Sequence, residues 1–287
     1  MKHAGSRDQF LAAGRPEGLR PTPGRRLAAA VRRQSRLSWL GTFACALLLV
    51  AVVADGAVRD LARSLDPSVV AVLRGVTQFG NSAWPIGISL LLLGAVTIVA
   101  RQANPFPREA LRNLRSALLL VLGSVAISGT IASLTKNLIG RARPSTGDAQ
   151  VFEFAAMTFR AGWAAFPSGH STTAIACAIA LAVALPRQAF FWLALGLLTA
   201  LSRAFLGVHW LSDCLAGLAL GTLVTLALRD WMERRGHRFR IDPALLPQVL
   251  GRGAWIGLSA LWVHAGRAAR RAGLWVSQRL SALKSGR

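Results

Sequence analysis

The sequence predicts an all-α integral membrane protein, a bundle of six transmembrane helices with both termini in the cytoplasm. Of its 287 residues, 53% are hydrophobic and only 16% are charged. The apolar residues are concentrated in blocks, and a helix needs about 20 of them to cross ~30 Å of hydrocarbon. The six blocks cover residues 38–55, 84–100, 116–136, 171–185, 189–206 and 210–228.

The composition of the blocks is typical of helices. They are rich in Leu, Ala, Val and Ile, and none alternates apolar and polar residues as a barrel strand does. The second block begins with Trp84 and Pro85, an interfacial aromatic residue followed by a proline suited to a first helical turn. Only residues 186–188 separate the fourth and fifth blocks, so we expect a tight helical hairpin there.

The charge distribution predicts the orientation of the bundle. The chain has 34 basic and 12 acidic residues, a net charge of +22. With the N-terminus inside, the cytoplasmic segments hold 26 of the basic residues and the opposite side holds eight. Because Lys and Arg are enriched in cytoplasmic loops, this asymmetry places both termini in the cytoplasm. It also argues against nucleic-acid binding, which would need a soluble fold with a basic face.

Composition divides the chain into three regions: a basic cytoplasmic tail over 1–37, a six-span domain over 38–230, and a basic amphipathic tail over 231–287. In the last region Trp and Leu are mixed with Arg, a pattern suited to an anionic membrane surface. An alternative seventh span over 250–266 is disfavoured by Arg252 and His264. Residues 56–83 are expected to form an external, moderately amphipathic stretch.

The three cysteines do not indicate a metal site or a disulfide framework. Cys45, Cys177 and Cys214 all fall in apolar blocks, their number is odd, and no pair has the spacing of metal ligands. We expect them to fill space in helices. The sequence therefore predicts no metal and no other cofactor.

Three polar clusters interrupt the apolar chain, and each lies at the external end of a predicted span. They are Lys136 with Arg143-Pro144, the run 167–170 (Pro-Ser-Gly-His), and Ser202-Arg203 with His209 and Asp213. The fourth and fifth blocks each rise about 25 Å, so the hairpin returns Arg203 to the level of His170. Ionisable residues at membrane depth are costly, which indicates a function.

The cations and a helix start predict an anion site. Lys136 and Arg143 are seven residues apart and share a helical face if the helix continues through Gly140. Ser168 and Gly169 open a helix whose first amides are free. With Arg203 as a third cation, phosphate is the natural ligand, since guanidinium groups match its geometry.

The histidines suggest phosphoryl transfer. His209 and Asp213 are spaced i, i+4 and can occupy one helical face. A carboxylate that holds one imidazole nitrogen leaves the other nitrogen nucleophilic. His170 lies across the site as a candidate acid for the leaving oxygen. Three cations and backbone amides supply the charge neutralisation that this reaction needs without a metal.

Taken together, the clusters resemble the tripartite signature of the type 2 phosphatidic-acid phosphatase superfamily, which also contains vanadium haloperoxidases and soluble bacterial acid phosphatases. The resemblance covers residues 136–213. It implies that His209 is the nucleophile and forms a phosphohistidine, that Asp213 orients it, and that His170 is the general acid and then the base that activates water. It also implies the following phosphate ligands: Lys136, Arg143, Ser168, Gly169 and Arg203.

The expected function is hydrolysis of a lipid phosphomonoester or diphosphate at the external face of the inner (plasma) membrane. Candidate substrates are phosphatidic acid, phosphatidylglycerol phosphate, a polyprenyl diphosphate such as undecaprenyl diphosphate, and a lipid A-type phosphate. The first alternative is a phosphotransferase, in which the phosphoryl group passes from the histidine to a lipid acceptor instead of water. Access of water past the loop 145–166 would decide between the two. A second is a transporter or scaffold, in which the His-Asp pair is dispensable. A vanadium haloperoxidase is disfavoured by a site at lipid level.

Overall fold

The computed structural model describes residues 36–101, 108–244, 247–249, 251, 252 and 255. Two compact units are distinguished, residues 1–46 and 47–287, and the division falls inside the first described helix. The residues of the candidate site all belong to the second unit. The predicted tails lie mostly outside the described residues.

The described part of the chain is helical. It contains α1 (Arg36–Val53), α2 (Asp55–Arg63), α3 (Pro67–Val76), α4 (Ala83–Ala100), α5 (Arg108–Ile139), α6 (Gly169–Ala184), α7 (Ala189–Phe205) and α8 (Leu211–Glu233). Short 3-10 turns cover Thr77–Gly80, Ala161–Trp163 and Pro186–Gln188. Its one β-type contact is an isolated bridge between Arg141 and Phe154. Each of the six predicted blocks coincides with a helix or part of one.

Length and apolarity make this a multi-pass membrane protein. Among the described residues, four helical segments are long and apolar enough to cross a bilayer: Pro67–Ala100, Arg108–Ile139, Pro186–Phe205 and Leu211–Glu233. A fifth span results if α1 and α2 form one broken span. The remaining predicted span, the fourth block, is α6, which has 16 residues and measures about 24 Å at ~1.5 Å per residue. Four to five spans thus follow from the structure, while the count of six and the cytoplasmic termini stay predictions.

The stretch 56–83 is divided rather than forming one external amphipathic element. Pro67 opens α3, and Asp66 caps that helix by accepting a hydrogen bond from the Ser68 amide at 2.7 Å. A 3-10 turn then joins α3 to α4, so that the Pro67–Ala100 segment is long enough to span the membrane. The division matters because the turn Thr77–Gly80 reaches the candidate site.

Helix α6 is the centre of the described bundle and packs against α5, α7 and α8. Ten of its 16 residues are buried. Glycines on α8 allow a close approach: a Cβ on Gly217 would lie 2.6 Å from the Ser168 carbonyl oxygen, and one on Gly221 would lie 2.5 Å from that of Thr172. Small residues serve this purpose in membrane helix pairs. The contact holds the first turns of α6 and α8 side by side.

Two apolar clusters surround this centre. One joins α5, α6 and α8 and includes Leu120, Val125 and Cys177, and the other joins α4 to α5 through residues such as Val96 and Leu114. The polar side chains buried along these helices are serines and threonines such as Ser124, Ser128 and Thr225, whereas the buried charged side chains of the described residues are Asp55, Arg141 and Asp213. Cys177 and Cys214 are buried, Cys45 is exposed, and all three are free thiols.

Helix α5 ends abruptly at Ile139. Gly140 adopts a left-handed conformation (φ +63°), and a Cβ there would lie 1.9 Å from the Ala155 carbonyl oxygen. Only glycine is tolerated in such a position, which is a common helix end. The helix therefore does not continue through Gly140, which was the condition for a helical face shared by Lys136 and Arg143. Lys136 and Arg143 come together through a turn instead of a shared helical face.

We predict that Gly140→Ala destabilises the protein by more than about 2 kcal/mol, since a left-handed non-glycine residue alone costs ~1–2 kcal/mol and the clash with Ala155 adds to it. Gly147→Ala is the matched control, because Gly147 has φ +52° but nothing within 4 Å of the added Cβ. Thermal unfolding of both variants in detergent measures the difference. Equal losses would contradict the role of the clash.

Candidate active site

His209 lies in the turn between α7 and α8. Helix α8 begins at Leu211 with Trp210 as its N-cap, so His209 precedes the helix, and the prediction of a helical face shared with Asp213 is wrong. The turn is held by the Arg203 carbonyl oxygen, which accepts from the amide of His209 at 3.3 Å. Both side chains are buried: His209 is 3% exposed and Asp213 is fully enclosed at 0%.

The hydrogen bond at Nδ1 determines the tautomer of His209. Nδ1 lies 2.8 Å from the carbonyl oxygen of Ala165. A carbonyl oxygen only accepts, so Nδ1 carries the proton and Nε2 keeps a free lone pair. The Asp213 carboxylate is 3.7 Å from Nδ1, an electrostatic contact that is too long for a hydrogen bond. The backbone therefore orients the imidazole, and Asp213 places a negative charge beside it.

The electrostatic surroundings keep His209 neutral near pH 7. Burial lowers the pKa of His209, and the Asp213 carboxylate opposes this effect without reversing it. Arg143 and Arg203 lower the pKa further. A neutral imidazole with an available Nε2 is the form that attacks an electrophile.

Asp213 belongs to a buried ionic network that the sequence analysis missed. Its Oδ1 accepts from Nη1 of Arg141 at 2.5 Å, and its Oδ2 accepts from the Trp210 amide at 2.9 Å. Nη2 of the same arginine donates to Oδ2 of Asp55 at 2.9 Å. Arg141 is 3% exposed and Asp55 is 1% exposed. One guanidinium thus bridges two buried carboxylates.

Ser212 and a loop carbonyl complete the network. Asp55 accepts from the Ser212 amide at 2.9 Å and from its hydroxyl at 2.6 Å. Nε and Nη2 of Arg141 donate to the Val151 carbonyl oxygen at 3.1 and 2.9 Å. The sequence carries a signal for this network. Asp55 is an acidic residue at the end of the first apolar block, and an acidic residue in such a position needs a partner.

Three cations approach the histidines from three elements. Lys136 is in the last turn of α5, and its Nζ lies 3.1 Å from the position that a Cβ on Gly169 would occupy. Arg143 follows the Gly140 turn and donates through Nη2 to the Ala164 carbonyl oxygen at 3.4 Å. Arg203 is in the last turn of α7. The structure therefore brings all three beside the first turn of α6.

His170 lies at the centre of these charges. It is the second residue of α6, is partly buried, and interacts electrostatically with Arg203, His209, Lys136 and Arg143. The predicted catalytic and cationic residues thus converge, although 77 positions separate the first from the last in the sequence, Lys136 from Asp213.

Two arginine nitrogens in this cluster lack a partner. Nε of Arg143 and Nε of Arg203 are buried and make no hydrogen bond in the part of the chain that the structure describes. Burial also lowers the pKa of the Arg143 guanidinium, while Asp213 acts in the opposite direction. Unpaired buried donors on cations are costly, and an anion between them would satisfy both. Tetrahedral oxyanions such as phosphate suit this arrangement.

Ser168, a predicted phosphate ligand, also begins α6 as its N-cap. Its amide donates to the Asp213 carbonyl oxygen at 3.0 Å, and its hydroxyl caps α6 by accepting from the Ser171 amide at 3.4 Å. The amides that begin α6 without an intrahelical acceptor are those of Gly169 and His170. Helix-terminal amides of this kind bind anions.

The 3-10 turn Thr77–Gly80 lines the site and was also missed. The Thr77 hydroxyl accepts from Nη1 of Arg203 at 3.1 Å. A Cβ on Gly80 would lie 2.8 Å from the His170 carbonyl oxygen, so the turn packs directly against that residue. Among the described residues, no group of three or more His, Cys, Asp or Glu is arranged as metal ligands.

Comparison with known proteins gives consistent matches. A model of the PAP2 superfamily matches residues 117–237. The lipid A 1-phosphatase of Rhizobium johnstonii is 33% identical over 174 residues, which cover 58% of this chain and 70% of that protein. The decaprenylphosphoryl-5-phosphoribose phosphatase of Mycobacterium tuberculosis is 35% identical over 163 residues, covering 55% of this chain and 77% of that protein.

A third relative and a solved structure come from Bacillus subtilis. Phosphatidylglycerophosphatase B is 27% identical over 214 residues, covering 68% of this chain and 94% of that protein. The crystal structure of the transmembrane PAP2 type phosphatidylglycerolphosphate phosphatase superposes with a TM-score of 0.48 at 22% identity, covering 67% of this chain and 95% of that chain.

We predict that Arg141→Gln destabilises the protein by about 3–5 kcal/mol, because it leaves two buried carboxylates unpaired. Arg229→Gln is the control: Arg229 pairs with Asp230 at 2.6 Å, but its side chain is 33% exposed, and such pairs contribute about 1 kcal/mol or less. The free energy of unfolding in detergent, from denaturant titration, distinguishes the two. A loss at Arg141 no larger than at Arg229 would refute the bridging role.

Proposed function

The chain belongs to the PAP2 superfamily and is a membrane lipid phosphatase of that family, and we propose that it removes a headgroup phosphate through a phosphohistidine at His209. The observation that carries the proposal is the pair of unpartnered Nε atoms on Arg143 and Arg203 beside a buried, neutral imidazole. These donors suit phosphate oxygens, and the imidazole is poised to attack the phosphorus between them.

In the first step Nε2 of His209 attacks phosphorus. The bond from phosphorus to the ester oxygen breaks, and His170, whose protonated form the bound phosphate dianion stabilises, donates a proton to that oxygen as it leaves. Lys136, Arg143 and Arg203 neutralise the charge on the three remaining oxygens, with the amides of Gly169 and His170 as further donors. The phosphorylated imidazole keeps its Nδ1 proton on Ala165 and is positively charged, so the Asp213 carboxylate stabilises it.

In the second step water attacks the phosphohistidine. His170, neutral after the first step, accepts a proton from the water. The bond between phosphorus and Nε2 breaks, and its electron pair returns to the imidazole. Inorganic phosphate and the neutral His209 are the products, so the site returns to its starting state. No metal takes part in either step.

The proposed substrates are lipid phosphates whose phosphate lies at the membrane surface. Three relatives are named as a lipid A 1-phosphatase, a decaprenylphosphoryl-5-phosphoribose phosphatase and a phosphatidylglycerophosphatase. Phosphatidic acid, phosphatidylglycerol phosphate, polyprenyl diphosphates and lipid A-type phosphates are therefore the panel to test. The charge asymmetry supports a six-span protein of the inner membrane with cytoplasmic termini and an external site.

Phosphate release from this panel by the purified protein in proteoliposomes is the test. We expect release from at least one lipid, a loss of at least about 10³-fold in His209→Ala, as for removal of a nucleophile, and full activity in EDTA. His237→Ala is the control, because this histidine bonds Ser116 at the other end of α5.

Three results would overturn parts of the proposal. Unchanged release by His209→Ala would exclude the nucleophile, and inhibition by EDTA would exclude the metal-free reaction. Transfer of labelled phosphate to a lipid alcohol, in place of release, would identify a phosphotransferase.

The pH dependence is a separate prediction. The neutral form of His209 reacts, and burial holds its pKa below the ordinary 6.5. As the pH falls through that lowered pKa, protonation removes the nucleophile, so the acid limb of kcat/KM should be centred below pH 6.5. An acid limb centred above that value, in a plot of kcat/KM against pH, would contradict the assigned protonation state.

A further inference from the structure

The loop between α5 and α6 exposes four large apolar side chains within eight residues. Phe152 is 54% exposed, Phe154 52%, Met157 61% and Phe159 71%. We call residues 152–159 the apolar loop. Exposed apolar groups this close together are unfavourable in water and usually mark a surface that contacts a partner or a membrane.

The apolar loop is attached to the end of a membrane-spanning helix. The Met157 amide donates to the Asn137 carbonyl oxygen at 2.9 Å, and the Ala155 amide donates to that of Gly140 at 2.7 Å. Asn137 is in the last turn of α5. The loop therefore lies at the level where this helix leaves the membrane.

An apolar stripe on α5 leads to the same turn. Ile127, Ile131, Leu134 and Leu138 are 45%, 39%, 62% and 60% exposed. Their spacing of four, three and four residues places them on one helical face. On a spanning helix such a face contacts lipid. Since the stripe ends where the apolar loop begins, the two form a continuous apolar surface.

The backbone of the apolar loop is held in an uncommon conformation. Met157 has φ +60° and Phe159 has φ +53°, a region that bulky side chains rarely adopt. Strained positions of this kind persist where the surrounding structure determines them, and they cluster at ligand-contacting segments. Here two exposed apolar residues, Met157 and Phe159, occupy them.

The same loop is connected to the candidate site. Arg141 and Phe154 form the isolated bridge, and the Arg143 amide donates to the Gly162 carbonyl oxygen at 2.8 Å. Arg141, which contacts Asp213, is thus held by the apolar loop, and Arg143, a proposed phosphate ligand, by the backbone that follows it. Exposed Arg160, next to Phe159, suits the phosphate layer of a bilayer.

We propose that the apolar loop inserts into the adjacent leaflet and contacts the acyl chain of the lipid whose phosphate is bound at Arg143 and Arg203. The bilayer is the occupant because the surface continues the lipid-facing stripe of α5. Insertion of the apolar loop beside the end of α5 holds Arg143 and Arg203 at the depth of the lipid headgroups. The acyl-chain contact rests on the proposed function, whereas the insertion does not.

Insertion is tested by spin labelling in vesicles of phosphatidylethanolamine and phosphatidylglycerol. Phe159→Cys is labelled in a chain in which exposed Cys45 is Ser, since Cys177 and Cys214 are buried. Ser145→Cys, an isosteric change at an exposed polar position of the same connection, is the control. We expect collisions with oxygen to exceed those with a water-soluble nickel chelate at position 159, and the reverse at 145.

Two outcomes would overturn insertion. Equal access of the nickel chelate to both labels would place the apolar loop in water. Low access of both reagents at position 159 would mean that a protein surface, such as a second copy of the chain, covers it.

The acyl-chain contact is tested with the double variant Met157→Asn, Phe159→Asn. Asn tolerates the left-handed conformation well, so the variant removes apolar surface without adding backbone strain. We expect KM for a long-chain lipid phosphate in vesicles to rise about tenfold or more, given the apolar area of the two side chains. The kcat for that lipid, and hydrolysis of a short water-soluble phosphomonoester, should stay within about twofold.

The results separate this inference from the function on which it rests. If the unaltered protein hydrolyses both substrates and the double variant matches it on the long-chain lipid, the acyl-chain contact is refuted. If the unaltered protein hydrolyses neither substrate, the proposed function and the acyl-chain contact both fail, while the spin-label measurement still decides insertion.

Discussion

The bridge that Arg141 makes between Asp55 and Asp213 is the interaction on which the rest of the site depends. Two buried carboxylates beside an imidazole would be strongly unfavourable without a cation between them, and Arg141 contacts both within 3 Å. The bridge connects the start of α2, the Gly140 turn and the first turn of α8. It also engages Oδ1 of Asp213, while the Trp210 amide engages Oδ2, so the hydrogen-bond acceptor for His209 is the Ala165 carbonyl. The negative charge is retained at 3.7 Å, where it stabilises a positive imidazole.

Packing brings the cations to this point. Gly217 lets the first turn of α8 lie against Ser168, and Gly80 lets a 3-10 turn lie against His170. The Nε atoms of the partly buried Arg143 and Arg203 thereby lie buried without a hydrogen-bond partner among the described residues, a state that a bound anion relieves. Stability and function are opposed here. The positive charges of Lys136, Arg143 and Arg203 repel one another when no anion is bound, and their interaction with a bound anion is favourable. Among the described residues, the buried charged side chains Asp55, Arg141 and Asp213 all belong to this site, so the cost of burying charge is confined to one end of the bundle.

Much of this arrangement is readable from residue spacing, and what is not has a physical cause. The six apolar blocks predicted the helices closely, because lipid-facing and buried helices share the same apolar composition. The family resemblance drawn from the three polar clusters is confirmed. Spacing alone makes these motifs continuous, but α5 ends before Gly140 and α8 begins after Trp210, so neither Lys136 with Arg143 nor His209 with Asp213 shares a helical face. Asp55 and Arg141 were missed because they are 86 residues apart in the sequence, and only tertiary packing brings them into contact.

The central claim is a covalent phosphoryl bond to Nε2 of His209, and rapid quenching tests it directly. Protein mixed with a ³²P-labelled lipid phosphate is quenched in alkali, digested and mapped by mass spectrometry. The account predicts one labelled peptide carrying phosphate on His209, stable in alkali and lost in acid, and no label in His209→Gln. Turnover of the labelled lipid without a phosphorylated histidine, or with label on another residue, would contradict it.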